Sequence, residues 1–137
     1  MENFPVHILA ADEPFYEGPC QSISVPTTTG MYGVLARHTN VILAIVPGTL
    51  RYRCEGEDEK LAAVSAGLMK VENGEVLILV DSAERPEEID ANRAQRAADR
   101  AKEELLQKKS IQEYRMAQSN LARALSRLQV KSSANKH

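Results

Sequence analysis

The 137-residue sequence has no tryptophan, few aromatic residues (four tyrosines and two phenylalanines), and only two cysteines, Cys20 and Cys54. Two cysteines exclude a disulfide scaffold and a four-cysteine zinc site, and a reduced cytosolic setting is the expectation. No apolar run approaches the ~18 residues of a membrane-spanning helix. The longest, Val41 to Pro47, is far too short. The opening Met1-Glu2-Asn3-Phe4-Pro5 lacks the basic-then-apolar layout of a secretory signal. There is no G-x-x-x-x-G-K-S/T phosphate loop and no G-x-G-x-x-G after a strand. The three histidines, His7, His38 and His137, share no local motif with one another, and the cysteines read as buried apolar side chains. No catalytic residue and no metal ligand is assigned.

What is present divides the chain. All seven glycines, all six prolines and all five threonines lie at or before Pro86, together with every aromatic residue except Tyr114. Residues 1–86 carry 12 Asp and Glu against 6 Lys and Arg, and residues 87–137 carry 7 against 11. The formal charge of -2 therefore averages an acidic half and a basic half. Glycine and proline break helices, and threonine and aromatics favour half-buried pleated surfaces. A second half without glycine or proline, rich in Ala, Arg, Glu and Gln, favours helix. The chain reads as β followed by α, with a boundary between residues 86 and 87.

In the first half, apolar or alternating runs recur between turn signals: Phe4 to Ala10, Cys20 to Val25, Val41 to Val46, Leu50 to Cys54, Leu61 to Ser65, Leu68 to Glu72 and Glu75 to Asp81. Asp12-Glu13-Pro14, Pro47-Gly48 and the acidic Gly56-Glu57-Asp58-Glu59 mark turns, and Asn73-Gly74 is a strong hairpin signal. Gly30 and Gly33, flanking Met31-Tyr32, are assigned to a tight turn. Many short strands at close spacing fit a small sandwich or a flattened barrel.

The second half reads as two helices of about 20 residues, each roughly 30 Å long. Asp90 N-caps the first, whose apolar stripe is Ala91, Ala94, Ala98, Ala101 and Leu105. Ser110-Ile111-Gln112-Glu113 has the form of a capping box and starts the second, with the stripe Tyr114, Ala117, Leu121, Ala124 and Leu128. Narrow alanine stripes suit two helices lying close and antiparallel, burying modest area. The tail after Val130 is expected to fray.

Arg93, Arg96 and Arg100 share one face of the first helix, and Arg123 and Arg127 share one face of the second. In an antiparallel hairpin, Arg93 and Arg100 approach Arg123 and Arg127. Converging guanidiniums repel unless an anion sits among them, and phosphate suits them through two-pronged hydrogen bonds. A solvated face with intrahelical pairs, such as Asp99 with Lys102, accounts for the same spacing, and Asp90 has a sufficient role as a cap. Nucleic acid is not expected as a partner. The basic excess is mild, and Tyr114 is the only aromatic residue of the basic half, too little for base stacking.

Nearly the whole chain resembles the epsilon subunit of bacterial F-type ATP synthases. The resemblance runs through Pro14-Phe15-Tyr16-Glu17-Gly18, the turn and strand Gly30-Met31-Tyr32-Gly33-Val34-Leu35, and His38. It continues through Val64-Ser65-Ala66-Gly67-Leu68-Met69-Lys70-Val71 and Ala83-Glu84-Arg85, and ends in Ile89-Asp90-Ala91-Asn92-Arg93-Ala94 and the Ala/Arg/Leu-rich second helix. Three positions depart from the family pattern: Met31 between the two glycines, Ala36-Arg37 before the histidine, and Ala66 beside Gly67.

The resemblance implies an N-terminal β-sandwich of about ten short strands, residues 1–86, and a C-terminal antiparallel two-helix hairpin, residues 87–137. It implies a non-catalytic rotor subunit at the cytoplasmic face of the cell membrane. The sandwich would bind the gamma subunit and the membrane c-ring. The hairpin would inhibit ATP hydrolysis when it extends into the alpha/beta catalytic head. No cofactor is required, but ATP is implied as a regulatory ligand of the folded hairpin. The family's nucleotide motif, I/L-D-x-x-R-A, stands intact at Ile89 to Ala94. By the same resemblance the ATP contacts fall on Glu84, Asp90, Arg93, Arg100, Arg123 and Arg127. A free-standing nucleotide- or nucleic-acid-binding module is the alternative, and an enzyme without a known motif is a third.

Overall fold

A computed structural model describes residues 2–107 and 110–135. Ten strands form two five-stranded sheets that face each other, and two helices follow. The strands are β1 Phe4–Ala10, β2 Glu13–Cys20, β3 Ser22–Thr27, β4 Gly30–Val34, β5 Val41–Ile45, β6 Gly48–Arg53, β7 Lys60–Val64, β8 Gly67–Glu72, β9 Glu75–Val80 and β10 Ala83–Glu84. The first sheet has the order β2-β1-β9-β8-β5 and the second β10-β7-β6-β3-β4. Every pairing is antiparallel except β1 with β9. The sandwich alternative therefore holds over the barrel.

Period-2 burial builds the core: Val6 and Ile8 of β1, Met69 and Val71 of β8, and Val76 and Ile78 of β9 point inward from the first sheet. Ile23 and Val25 of β3 and Leu50 and Tyr52 of β6 meet them from the second. Cys20 and Cys54 are buried and free. The Asn73-Gly74 hairpin forms as its sequence requires, with both residues at positive φ (52° and 78°).

Two turns differ from the sequence expectation. Gly30 to Gly33 is not a tight turn but part of β4, paired with β3 through Gly33 and Ser24. Glycine lowers strand propensity, and the neighbouring strand overrides it. The turn before β2 is Ala11-Asp12, both at positive φ, so Glu13 and Pro14 already belong to the strand. Pro14 is tolerated because β2 is an edge strand whose only neighbour is β1.

A 3₁₀ turn, Pro86–Glu88, leads into α1 Ala91–Leu106, and α2 spans Ile111–Asn135. The Asp90 carboxylate accepts from the Arg93 backbone N–H at 3.1 Å, and Ser110 Oγ accepts from the Glu113 N–H at 3.2 Å. Both predicted caps form. The helices pack through Ala94, Ala98, Ala101, Ala117 and Ala124, all buried, whereas Ala91 and Tyr114 are exposed at the ends of their stripes.

The tail does not fray at Val130: α2 continues to Asn135. Val130 is fully buried against Ile89 and Ala63, and Lys131 Nζ donates to the Pro86 carbonyl at 3.2 Å. The sandwich thus holds the last turns in place. Lys136 and His137 lie outside the described residues.

Candidate functional site

Consecutive residues of a strand point to opposite faces, so two adjacent buried residues mark a strand covered on both sides. Thr49 and Leu50 of β6 are both buried, as are Ala62, Ala63 and Val64 of β7. Leu50, Ala62 and Val64 belong to the sandwich core, while Thr49 and Ala63, paired in register, face α2. Thr49 Oγ1 donates to Gln129 Oε1 at 3.1 Å and lies 3.3 Å from Ser126 Oγ. The helix is therefore docked by a small apolar contact and buried hydroxyls rather than by large side chains.

Beside this contact, Glu84 at the end of β10 accepts from Arg127 Nε at 2.5 Å. Arg127 also lines a cavity of about 260 Å³ between the helices, together with Arg100 and Arg123. Arg123 donates from Nη2 to Asn120 Oδ1 at 2.9 Å. Glu104 lines the same cavity, over a floor that includes Ala97 and Ala101. Buried alanines on both helices let them approach closely, and three arginines line the one cavity between them.

Of the six residues taken as ATP contacts, the structure brings Arg100, Arg123 and Arg127 to one cavity and ties Glu84 to it through Arg127. Arg93 is exposed on the first turn of α1 and does not line the cavity. Asp90 serves as the cap of α1, and Ile89, the first residue of the motif, is wedged against Val130 and Ala63. Asp99 accepts from Gln95 Nε2 at 3.0 Å, in place of the expected pair with Lys102. Asn120 and Glu104 were not singled out from sequence. Helical spacing would have found them, since Asn120 is three residues before Arg123 and Glu104 four after Arg100.

A larger cleft, about 710 Å³, opens between β6, β7, the 3₁₀ turn and Ser133. Three of its four cations are offset locally: Arg51 pairs with Glu59, Lys60 with Glu57 and Arg85 with Glu88. The Arg85 guanidinium also lies over the Phe15 ring, 4.1 Å from its centre, and donates to the Phe15 carbonyl. None of the predicted contacts lies in it.

The other chemistry-bearing side chains are occupied structurally. His38 Nδ1 is 2.6 Å from the Thr39 carbonyl, which fixes the proton there, so Nε2 accepts from the Tyr32 hydroxyl at 3.0 Å. His7 lies between Glu75 at 2.7 Å and Glu17 at 3.7 Å. Burial pushes the Cys20 thiol up to about 11 and raises the Tyr52 phenol. Burial also raises the Tyr16 phenol, which accepts from Cys54 Sγ at 3.1 Å and donates to the Pro19 carbonyl. Among the described residues no group of three His, Cys, Asp or Glu side chains is arranged to hold a metal ion.

Residues 3–86 match the family model for the β-sandwich domain of the ATP synthase delta/epsilon chain, and residues 87–132 match its long α-helix domain. The chain belongs to the ATP synthase delta/epsilon chain family. It is 45% identical over 132 residues to the ATP synthase epsilon chain of Caldanaerobacter subterraneus subsp. tengcongensis, covering 96% of this chain and 95% of that one. With the epsilon chain of Ruminiclostridium cellulolyticum it shares 39% identity over 128 residues, covering 93% and 95%. The fold is also that of a chain in the Euglena gracilis mitochondrial ATP synthase, with a TM-score of 0.80 at 24% identity over 98% of this chain and 82% of the other. A chain of the Tetrahymena thermophila mitochondrial ATP synthase central stalk and c-ring shares it at a TM-score of 0.67 and 14% identity, over 97% and 96%.

Proposed function

We propose that the chain is a non-catalytic rotor subunit of an F-type ATP synthase, whose hairpin senses ATP and restrains ATP hydrolysis. The sandwich docks on the gamma subunit and the c-ring at the cytoplasmic face of the cell membrane, and so takes part in coupling ion flow to ATP synthesis. Its first sheet supports a docking role. Leu68 and Leu79 lie side by side on its outer face, and Ile42 of β5 joins them, all exposed. Adjacent exposed apolar side chains of this kind mark interaction surfaces. No described helix is long and apolar enough to cross a membrane, so a peripheral attachment is the form proposed.

The observation that carries the regulatory reading is the convergence of Arg100, Arg123 and Arg127 in one cavity between the helices. At about 260 Å³ it is smaller than the ~300–1,000 Å³ of full ligand pockets. It suits the polyphosphate part of ATP, leaving the nucleoside to extend toward the start of α1, where Asp90 and Arg93 stand. A ligand bridging α1 and α2 stabilises the closed hairpin and none of its open forms. At a concentration ~100 times its dissociation constant, it contributes about 2.7 kcal/mol to the closed form. The docking contact, made by Val130, Ile89, Ala63 and a few hydroxyls, is small enough for such a bias to decide the balance. Released, the hairpin extends into the alpha/beta head and inhibits.

The test is ATP hydrolysis by the assembled complex, with the full chain and with a chain ending before residue 87, across a range of ATP concentrations. The truncated complex is expected to be the more active at low ATP, the difference closing as ATP rises. Equal rates at every concentration would overturn the regulatory role.

A further inference from the structure

The cavity between the helices raises an electrostatic problem that bears on how its ligand is held, and the inference rests on the nucleotide reading above. Three guanidiniums line a space of about 260 Å³. Like charges so close repel, and the repulsion acts to separate the two helices. The contact opposing it is thin, since Ala98, Ala101, Ala117 and Ala124 supply its centre. Negative charge within the chain that offsets this repulsion favours the closed hairpin when no ligand is bound.

Two offsets are direct. Glu84 accepts from Arg127, and the Asn120 amide oxygen accepts from Arg123. The third is placed by helical geometry. Glu104 stands four residues after Arg100, on the same face of α1, and lines the cavity with Arg100 and Arg123 beyond the distance of a direct ion pair. Its neighbour Glu103 is exposed and does not line the cavity.

We infer that Glu104 is the built-in counter-ion of this cavity and sets its affinity for phosphates. The carboxylate stabilises the closed hairpin when no anion is bound, and opposes the phosphates of ATP when they enter. The two effects have opposite signs and come from one charge. Glu104 is half-buried, so screening between that of water and that of a protein interior applies, and the effect is a several-fold one. Glu84 differs in kind, since its bond to Arg127 crosses to the sandwich and serves docking as well.

The experiment compares the full chain with its E104Q and E103Q variants at low salt. The amide of E104Q keeps the shape and removes the charge. ATP titration is expected to show E104Q binding about 3- to 10-fold more tightly than wild type, with E103Q close to wild type. Without ATP, the thermal midpoint of the helical signal is expected to fall by about 2–4 °C in E104Q, and added salt to restore it. Glu104→Ala is expected to follow E104Q in both measurements. If wild type binds ATP and E104Q binds no better, or E103Q matches its gain, the role of Glu104 is overturned and the nucleotide reading stands. A midpoint that rises without ATP overturns the counter-ion role in the same way. If neither wild type nor E104Q binds ATP, the nucleotide reading falls, and this inference with it.

Discussion

Glu84 Oε1 and Arg127 Nε lie 2.5 Å apart, joining the last strand of the sandwich to a side chain of the interhelical cavity. One arginine therefore serves two places, the docking of α2 and the lining of the interhelical cavity. The pair is only partly shielded, with 28% of the Glu84 side chain and 35% of the Arg127 side chain exposed, so its contribution is discounted for screening by solvent. Glu84→Gln is expected to weaken docking by about 1 kcal/mol, roughly a fivefold rise in the undocked population. Limited tryptic cleavage within residues 91–135, measured against cleavage in the sandwich, reads that population. Unchanged cleavage would mean that the pair adds nothing to docking.

Arg123 and Arg127 part company under substitution. Among the described residues Arg123 lines the cavity and donates to Asn120, so on the proposed function Arg123→Ala removes a phosphate contact and leaves docking unaltered. Arg127→Ala removes the Glu84 bond and, on the same proposal, a phosphate contact with it. Both are expected to weaken ATP binding about 10-fold or more, each charge-assisted contact contributing roughly 1.5–3 kcal/mol. Only Arg127→Ala is expected to raise tryptic cleavage of the hairpin. Calorimetric titration with unchanged affinity in both variants would sink the site assignment.

The docking contact itself is tested at Val130. Its side chain is fully buried between Ile89 and Ala63, with Leu61 beside them. Val130→Ala is expected to cost about 2 kcal/mol of docking, because the removed methyl groups leave a space that the small Ala63 does not fill. Helical content of the full chain is expected to become salt- and temperature-sensitive, while denaturant unfolding of the sandwich keeps its midpoint. A single unfolding transition shifted as a whole would show instead that sandwich and hairpin unfold together.

The same contact marks the limit of what the sequence could tell. Strands with period-2 patterns, both helix caps and the grouping of arginines on helix faces were legible, because each depends on neighbours within a few residues. The strand nature of Gly30 to Gly33 was not, since it depends on pairing with β3 rather than on local propensity. Nor was the helix beyond Val130, whose order depends on Ile89 and Ala63, far away in the chain. At the site, spacing grouped Arg100 with Arg123 and Arg127 but also included Arg93, which sits a further two turns back along α1 and does not line the cavity. Glu104 and Asn120 lie at helical spacing from those arginines, but spacing alone does not distinguish a cavity wall from a solvated helix face. The motif at Ile89 to Ala94 marked a junction, where Ile89 fills the interface and Asp90 starts the helix.

Cys20 provides a pH dependence whose sign follows from its burial. The thiol lies where β2 ends and the chain crosses toward β3, fully buried, and desolvation pushes it from 9.0 to about 11. Between those values the unfolded chain gives up its proton and the folded chain keeps it. The unfolded state then binds fewer protons, so stability falls as pH rises. The contribution is fully present below about pH 9 and is lost as pH rises through about 11. Tyr16 and Tyr52, raised by burial as well and to a lesser extent by Cys20 itself, act in the same direction. Urea midpoints measured from pH 7 to 11 are expected to decline more steeply for wild type than for Cys20→Ala, whose slope lacks the thiol. In the same folded protein Cys20 is expected to resist alkylation at pH 8, because only about one thiol in a thousand is ionised there and the sulfur is shielded. Parallel slopes for the two proteins would show that the thiol does not couple to folding.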